Sequence, residues 1–176
     1  MSDSHYRTLA LMRHAKSAWD LGVEADHLRP LNERGRRAVP VIGSYLAEVD
    51  FVPDLVLCST AIRTRETLDR LLRDFPQSPA IRYEQALYLA SRADCLERLR
   101  RLGKRWRRVL VIGHNPGLQD LAAHLVGEAD RTVAGRIADK FPTASLALLD
   151  CALDSWSDLT PGAVRAARFV MPKQLV

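Results

Sequence analysis

The chain has 176 residues, 47% hydrophobic and 27% charged, and its 26 Lys and Arg against 21 Asp and Glu leave a net charge of +5. That size and balance fit a single domain over residues 1–176 with its own core, and exclude wholesale disorder, a collagen-like repeat and a disulfide-stapled miniprotein. No run reaches the ~18 apolar residues that cross a bilayer, and Met1 to His14 lacks the basic start and long apolar region of a secretory signal, so a cytoplasmic location is expected.

In chain order, Arg7 to Met12 (RTLALM) reads as a buried strand followed by polar loop residues. Asn32 is a fair N-cap for a helix to about Val49, which Pro40 should kink or split. Asp54 to Cys58 is a short buried strand. Ser59 or Thr60 then caps a helix to about Phe75, with Leu68, Leu71, Leu72 and Phe75 as its apolar stripe. Ala80 to Tyr83 forms a short strand, and Ser91 caps a helix to about Leu102. Val109 to Ile112 is the strongest strand; a Gly-His-Asn-Pro-Gly turn and a helix from about Leu118 to Val126 follow. Ala144 to Leu149 is a further strand, and Arg168 to Val170 a terminal edge strand. Alternating strands and helices argue for an α/β fold, a mostly parallel sheet covered on both faces.

Cys58, Cys95 and Cys151 are widely spaced with no C-x-x-C pattern, and read as buried thiols in a reducing compartment. Between Arg92 and Arg108 eight basic residues meet two acidic ones. This segment reads first as a solvated arginine-rich helix; nucleic-acid binding is the competing use, without a recognition motif to support it.

Ligands of open α/β sheets sit outside the carboxyl ends of the strands. Three polar clusters fall there: Arg13-His14, Ser59 to Thr67 (STAIRTRET), and Gly113-His114-Asn115-Pro116-Gly117. Arginine forks suit a tetrahedral oxyanion, and histidine serves as nucleophile or proton carrier near neutral pH. Two histidines and two arginines at one sheet edge therefore point to a phosphoryl site. Neither G-x-x-x-x-G-K-[ST] nor G-x-G-x-x-G is present, and the five histidines show no metal-ligand spacing.

Leu11-Met12-Arg13-His14-Ala15-Lys16-Ser17-Ala18-Trp19 resembles the signature of the histidine phosphatase superfamily, the clan that includes cofactor-dependent phosphoglycerate mutase. It is most similar to the small bacterial phosphohistidine phosphatase (SixA-like) branch, whose motif runs on as Ala-Lys-Ser. Arg29 to Gly35, Ser59 to Arg63 with Thr67, Leu87-Tyr88 and Gly113 to Leu118 match further blocks, so the resemblance spans about Leu9 to Val126. It implies a phosphoglycerate mutase-like three-layer α/β/α sandwich. It also implies His14 as nucleophile, Arg13 and Arg63 as phosphate clamps and His114 as the second histidine, with no metal or organic cofactor. A backbone carbonyl is expected to hold the other nitrogen of His14, and Gly113 to permit close backbone approach.

Glu84, before Leu87-Tyr88, is the candidate acid, with a solvent-facing residue at a strand end as the equal alternative. Ser17 is expected near the phosphate, Lys16 there or solvated, Arg29 at the pocket rim or as a loop anchor, Thr143 near the site by resemblance or equally in local hydrogen bonding, Asn32 as a cap and Trp19 as loop packing. The implied substrate is phosphohistidine on a phosphotransfer or signalling protein, released as inorganic phosphate, with no membrane partner. A small-molecule phosphomonoesterase and a non-catalytic phosphoprotein-binding module remain open.

Overall fold

The computed structural model describes residues 5–19, 22 and 25–176. Among them the elements run β1 (Tyr6–Arg13), α1 (Glu33–Glu48), β2 (Leu55–Ser59), α2 (Ile62–Leu71), β3 (Ala80–Glu84), α3 (Arg92–Arg100), β4 (Arg108–Gly113), α4 (Gly117–Val126), α5 (Arg131–Asp139), β5 (Leu146–Ala152) and β6 (Val164–Val170). They build one sheet in the order β3-β2-β4-β1-β5-β6. The first four of these strands are mutually parallel, and β5 runs antiparallel to both β1 and β6.

Strands buried on both faces carry near-continuous apolar runs, and successive side chains point to opposite sides. In β1, Leu9 and Leu11 join one core with Leu99 of α3, Leu121 of α4 and Ile137 of α5. Ala10 and Met12 join the other with Ile42 and Leu46 of α1 and Leu68 of α2. The result is the expected α/β/α sandwich. The insertion of β4 between β1 and β2 brings the carboxyl ends of three strands side by side, the arrangement in which such sheets open a ligand crevice.

Local boundaries follow physical causes the sequence did not settle. Pro40 does not split α1: the helix runs through it from Glu33 to Glu48, with Pro40 at an exposed position. Neither Ser59 nor Thr60 caps α2, which starts after Ala61 and ends at Leu71, four residues before Phe75. Instead, the Thr64 hydroxyl donates to the carbonyls of Ser59 and Ala61. Ala144 lies before β5 in a left-handed turn (φ 62°), donating its N–H to the carbonyls of Arg13 and His14. Helix α5, absent from the sequence reading, is capped by the Asp130 side chain. Asn32 and Ser91 cap α1 and α3 as expected.

The three cysteines are buried, which pushes the Cys58 and Cys151 thiols up to about 12 and Cys95 to about 11, well into the protonated, unreactive range. The Arg92–Arg108 segment ends where β4 begins, at the opposite edge of the sheet from Gly113. Much of it is internally engaged: Arg98 pairs with Glu84, Arg101 with Glu97, and Arg100 donates to the Leu159 carbonyl. No helix among the described residues is long and apolar enough to cross a membrane.

Candidate active site

His14 follows the last residue of β1, and its N–H donates to the carbonyl of Gly113 at 3.1 Å. His114 follows the last residue of β4. The two rings lie 5.3 Å apart between centroids. Arg63, in the first turn of α2 and only 2% exposed, spans them: its Nε donates to Nε2 of His14 and its Nη2 to Nδ1 of His114, both at 3.3 Å. Arg13, His14, Arg63 and His114 line one cavity of about 280 Å³.

Because guanidinium has no acceptor, these contacts fix the tautomers. Nδ1 of His14 donates to the Ala15 carbonyl at 2.7 Å, so Nε2 is the unprotonated nitrogen, its lone pair accepting from Arg63 at the cavity. The carbonyl expected on the other nitrogen is thus in place. His114 is the mirror case. Its Nδ1 faces Arg63 as an acceptor, and its Nε2 donates to the Ser59 hydroxyl at 2.7 Å.

Burial pushes His14 down to about 3; the Ala15 hydrogen bond opposes the fall and the charge on Arg63 adds to it. Burial, then Arg63, also pushes His114 down to about 3. Both imidazoles are therefore neutral at neutral pH, one presenting a nucleophilic nitrogen and the other a proton acceptor.

The clamp is pre-positioned by a residue that sequence reasoning missed. Asp26 pairs with Arg63 at 2.9 Å and with Arg29 at 2.8 Å, and its backbone carbonyl accepts from Nη1 of Arg63 at 2.8 Å. The Tyr88 hydroxyl donates to the same carboxylate. Burial alone would raise Asp26, but the hydrogen bonds from Tyr88 and Arg29 and the charge on Arg63 outweigh it and hold the carboxyl well below its usual range. The Tyr88 ring also packs edge-on against His114 at 5.4 Å. Asp26 lies in a short 3-10 turn, too short to carry a periodic pattern.

Lys16, Ser17, Arg29 and Thr143 line the same cavity. Trp19 does not pack into the loop: it is 74% exposed, with the Arg29 guanidinium stacked 3.5 Å from its ring. Glu84 stands apart. Its two carboxylate oxygens are both engaged by Arg98, and it is not among the residues lining the cavity. Gly113 does not serve close approach either, since a Cβ there would meet nothing nearer than Leu118 Cδ1 at 3.8 Å. Close approaches to backbone are found at Gly35, where a Cβ would lie 2.1 Å from the Lys16 carbonyl oxygen, and Gly117, 1.9 Å from that of Ala90.

The family model of the histidine phosphatase superfamily (branch 1) matches residues 9–88, the span that carries His14, Asp26, Arg63 and Tyr88. The solved structure of the proposed phosphohistidine phosphatase SixA from Agrobacterium tumefaciens is similar over 94% of this chain and 98% of its own, at TM-score 0.80 and 30% identity. The chain belongs to the histidine phosphatase superfamily. The structure of another proposed phosphohistidine phosphatase SixA, from Nakamurella multipartitia, is similar at TM-score 0.81 and 28% identity, over 95% of this chain and 96% of that one. An uncharacterized protein of Mycobacterium tuberculosis (strain H37Rv) is 40% identical over 164 residues, 92% of this chain and all of the relative. These relatives are matched over nearly the whole of their own length.

Proposed function

We propose that this histidine phosphatase hydrolyses phosphohistidine on a protein through a covalent phosphoenzyme on His14. The observation that carries the reading is the hydrogen bond from His14 Nδ1 to the Ala15 carbonyl, which leaves Nε2 as the attacking lone pair. In the first step Nε2 forms a bond to phosphorus in line with the substrate P–N bond, which breaks with its electron pair going to the leaving imidazole. Arg13 and Arg63 hold the equatorial oxygens as charge redistributes. In the second step water attacks phosphorus, the P–Nε2 bond breaks, and Nδ1 of His114 accepts the water proton before passing it to the released phosphate. The scheme calls for no metal or organic cofactor.

A phosphoramidate substrate suits the acid–base inventory better than an ester. Asp26 is the one carboxylate among the described residues lining the cavity, and it is held ionised. Glu84 is held by Arg98. An alkoxide would leave without a poised carboxylic acid, whereas a protonated phosphohistidine ring leaves as neutral imidazole. The relatives named as phosphohistidine phosphatases support the same substrate class. The partner is then a phosphotransfer or signalling protein, and inorganic phosphate is the product.

The test is rapid quench with a protein labelled on phosphohistidine. The expected result is an acid-labile phosphoryl label on this chain that is absent from His14→Ala, and faster turnover of phosphohistidine than of p-nitrophenyl phosphate. A label that survives in His14→Ala, or turnover of esters alone, overturns the reading.

A further inference from the structure

A second cavity adjoins the catalytic one, sharing Arg13, Lys16 and Thr143 as a common wall, and at about 350 Å³ it is the larger of the two. Arg34 of α1, Lys140 before β5 and Lys173 after β6 complete a ring of five cations with Arg13 and Lys16, and among the described residues no carboxylate lines it. Its remaining wall is largely apolar: Ala38 one turn along α1, Pro142, Met171 and Pro172.

Outside this ring seven cations have a carboxylate partner among the described residues: Arg29, Arg36, Arg37, Arg63, Arg98, Arg101 and Arg168. Among the described residues Lys16, Arg34, Lys140 and Lys173 have none. Arg13 spends one Nη1 hydrogen bond on the Phe141 carbonyl, and its buried Nε has no partner. Like charges drawn together from four separate parts of the chain repel one another, a cost that an anionic ligand reverses. The apolar wall gives such a ligand aliphatic contact as well as charge, which a bare second phosphate would not use.

We propose that this cavity docks an acidic segment of the substrate protein, carboxylates interleaved with apolar side chains, while the phosphohistidine of that protein occupies the catalytic cavity next door. The inference rests on the proposed function and names the surface chemistry of its substrate. Arg34, Lys140 and Lys173 bind the carboxylates, Met171 and Pro142 receive the apolar side chains, and Arg13 and Lys16 sit at the junction of the two sites.

The test uses two phosphohistidine peptides of equal length, one flanked by Glu and Leu and the other by Ser and Leu, with p-nitrophenyl phosphate as a substrate too small to reach the second cavity. The intact chain is expected to show kcat/KM about tenfold higher on the acidic peptide, since exposed ion pairs each contribute modestly. The Arg34→Gln, Lys140→Gln, Lys173→Gln triple variant is expected to erase that preference and to leave p-nitrophenyl phosphate turnover within about twofold. Equal rates on the two peptides, or a preference that survives in the triple variant, overturn the docking surface alone. Failure to hydrolyse either peptide, with ester turnover intact, overturns the phosphohistidine reading and the docking surface together.

Discussion

His14 and His114 leave neighbouring parallel strands at the same level. The register pairs Met12 with Ile112 and Arg13 with Gly113, so the next residue on each strand is one of the two histidines. Their 5.3 Å separation is therefore set by backbone pairing at the sheet's carboxyl edge, and Arg63 fills the space between them from α2. A residue placed this way needs its fork as well as its charge, because two nitrogens of one guanidinium address two different rings.

Arg63→Lys is accordingly expected to fail despite keeping the charge. An ammonium is a single point and cannot reach both imidazoles while holding phosphate oxygens. Loss of an oriented donor at such a site typically costs about 100- to 1000-fold in kcat. Steady-state kinetics on a phosphohistidine peptide reads this, with circular dichroism as the check on folding. A lysine variant within about tenfold of the parent would mean that charge alone suffices.

The two histidines also predict how the molecule responds to acid. With both pushed down to about 3, they stay neutral in the folded chain far below the ordinary imidazole value of about 6.5. Nitrogen-15 spectra of the rings should show His14 protonated at Nδ1 and His114 at Nε2 from pH 7 down to about pH 4. The unfolded chain takes up protons on both once pH drops below about 6.5, so the stability of the folded state is complete above that value and declines as pH falls toward about 3. His14→Gln and His114→Gln should each flatten that decline in urea unfolding at stepped pH. An unchanged slope in both variants would mean that neither histidine is held neutral.

The strands and the four central side chains were legible because strong local signals coincided. Leu9 to Met12 and Val109 to Ile112 are apolar on both faces, so their ends, and the polar residues there, stand out. Asp26 was not legible: it owes its place to long-range contacts with Arg63, 37 residues on, and Tyr88, 62 residues on. Helix α5 escaped because Gly135 sits in its middle and Ile137 is its one fully buried residue, leaving little apolar periodicity. Glu84 was readable equally as an acid and as a solvent-facing strand end; its register opposite Ser59 on an edge strand sets its carboxylate against Arg98 of α3, a long-range contact no local pattern reveals.

Glu84 and Asp26 should therefore separate cleanly. Glu84→Gln breaks a half-buried ion pair that ties β3 to α3, with an expected loss of about 1–2 kcal/mol in unfolding free energy and turnover within about twofold of the parent. Asp26→Asn keeps the shape but frees Arg63 from its counter-charge. It is expected to lower kcat by about tenfold through lost positioning, while inorganic phosphate inhibits more tightly because the carboxylate no longer competes for the guanidinium. Loss of turnover in Glu84→Gln without loss of stability would return the acid role to Glu84.

Two glycines beside the site carry opposite expectations. Gly35 lies in the first turn of α1, pressed on the loop that follows β1: the Lys16 carbonyl accepts from Asn32 N–H at 3.0 Å, and a Cβ at Gly35 would meet the same oxygen at 2.1 Å. That oxygen belongs to backbone, so an alanine must push the helix or the loop aside. The loop carries Lys16 and Ser17, and Ser17 receives the Arg29 guanidinium. Overpacking of this kind costs about 1–3 kcal/mol, and displacement of a positioning loop by about 1 Å lowers turnover by about 100-fold. Gly113, though next to His114, has 3.8 Å to its nearest neighbour and lies in a strand, where alanine is no worse than glycine. Gly35→Ala should thus lose both stability and kcat/KM, while Gly113→Ala keeps both within about 0.5 kcal/mol and twofold. The reverse order in thermal melts and kinetics would place the strict backbone contact at the end of β4 instead of at the start of α1.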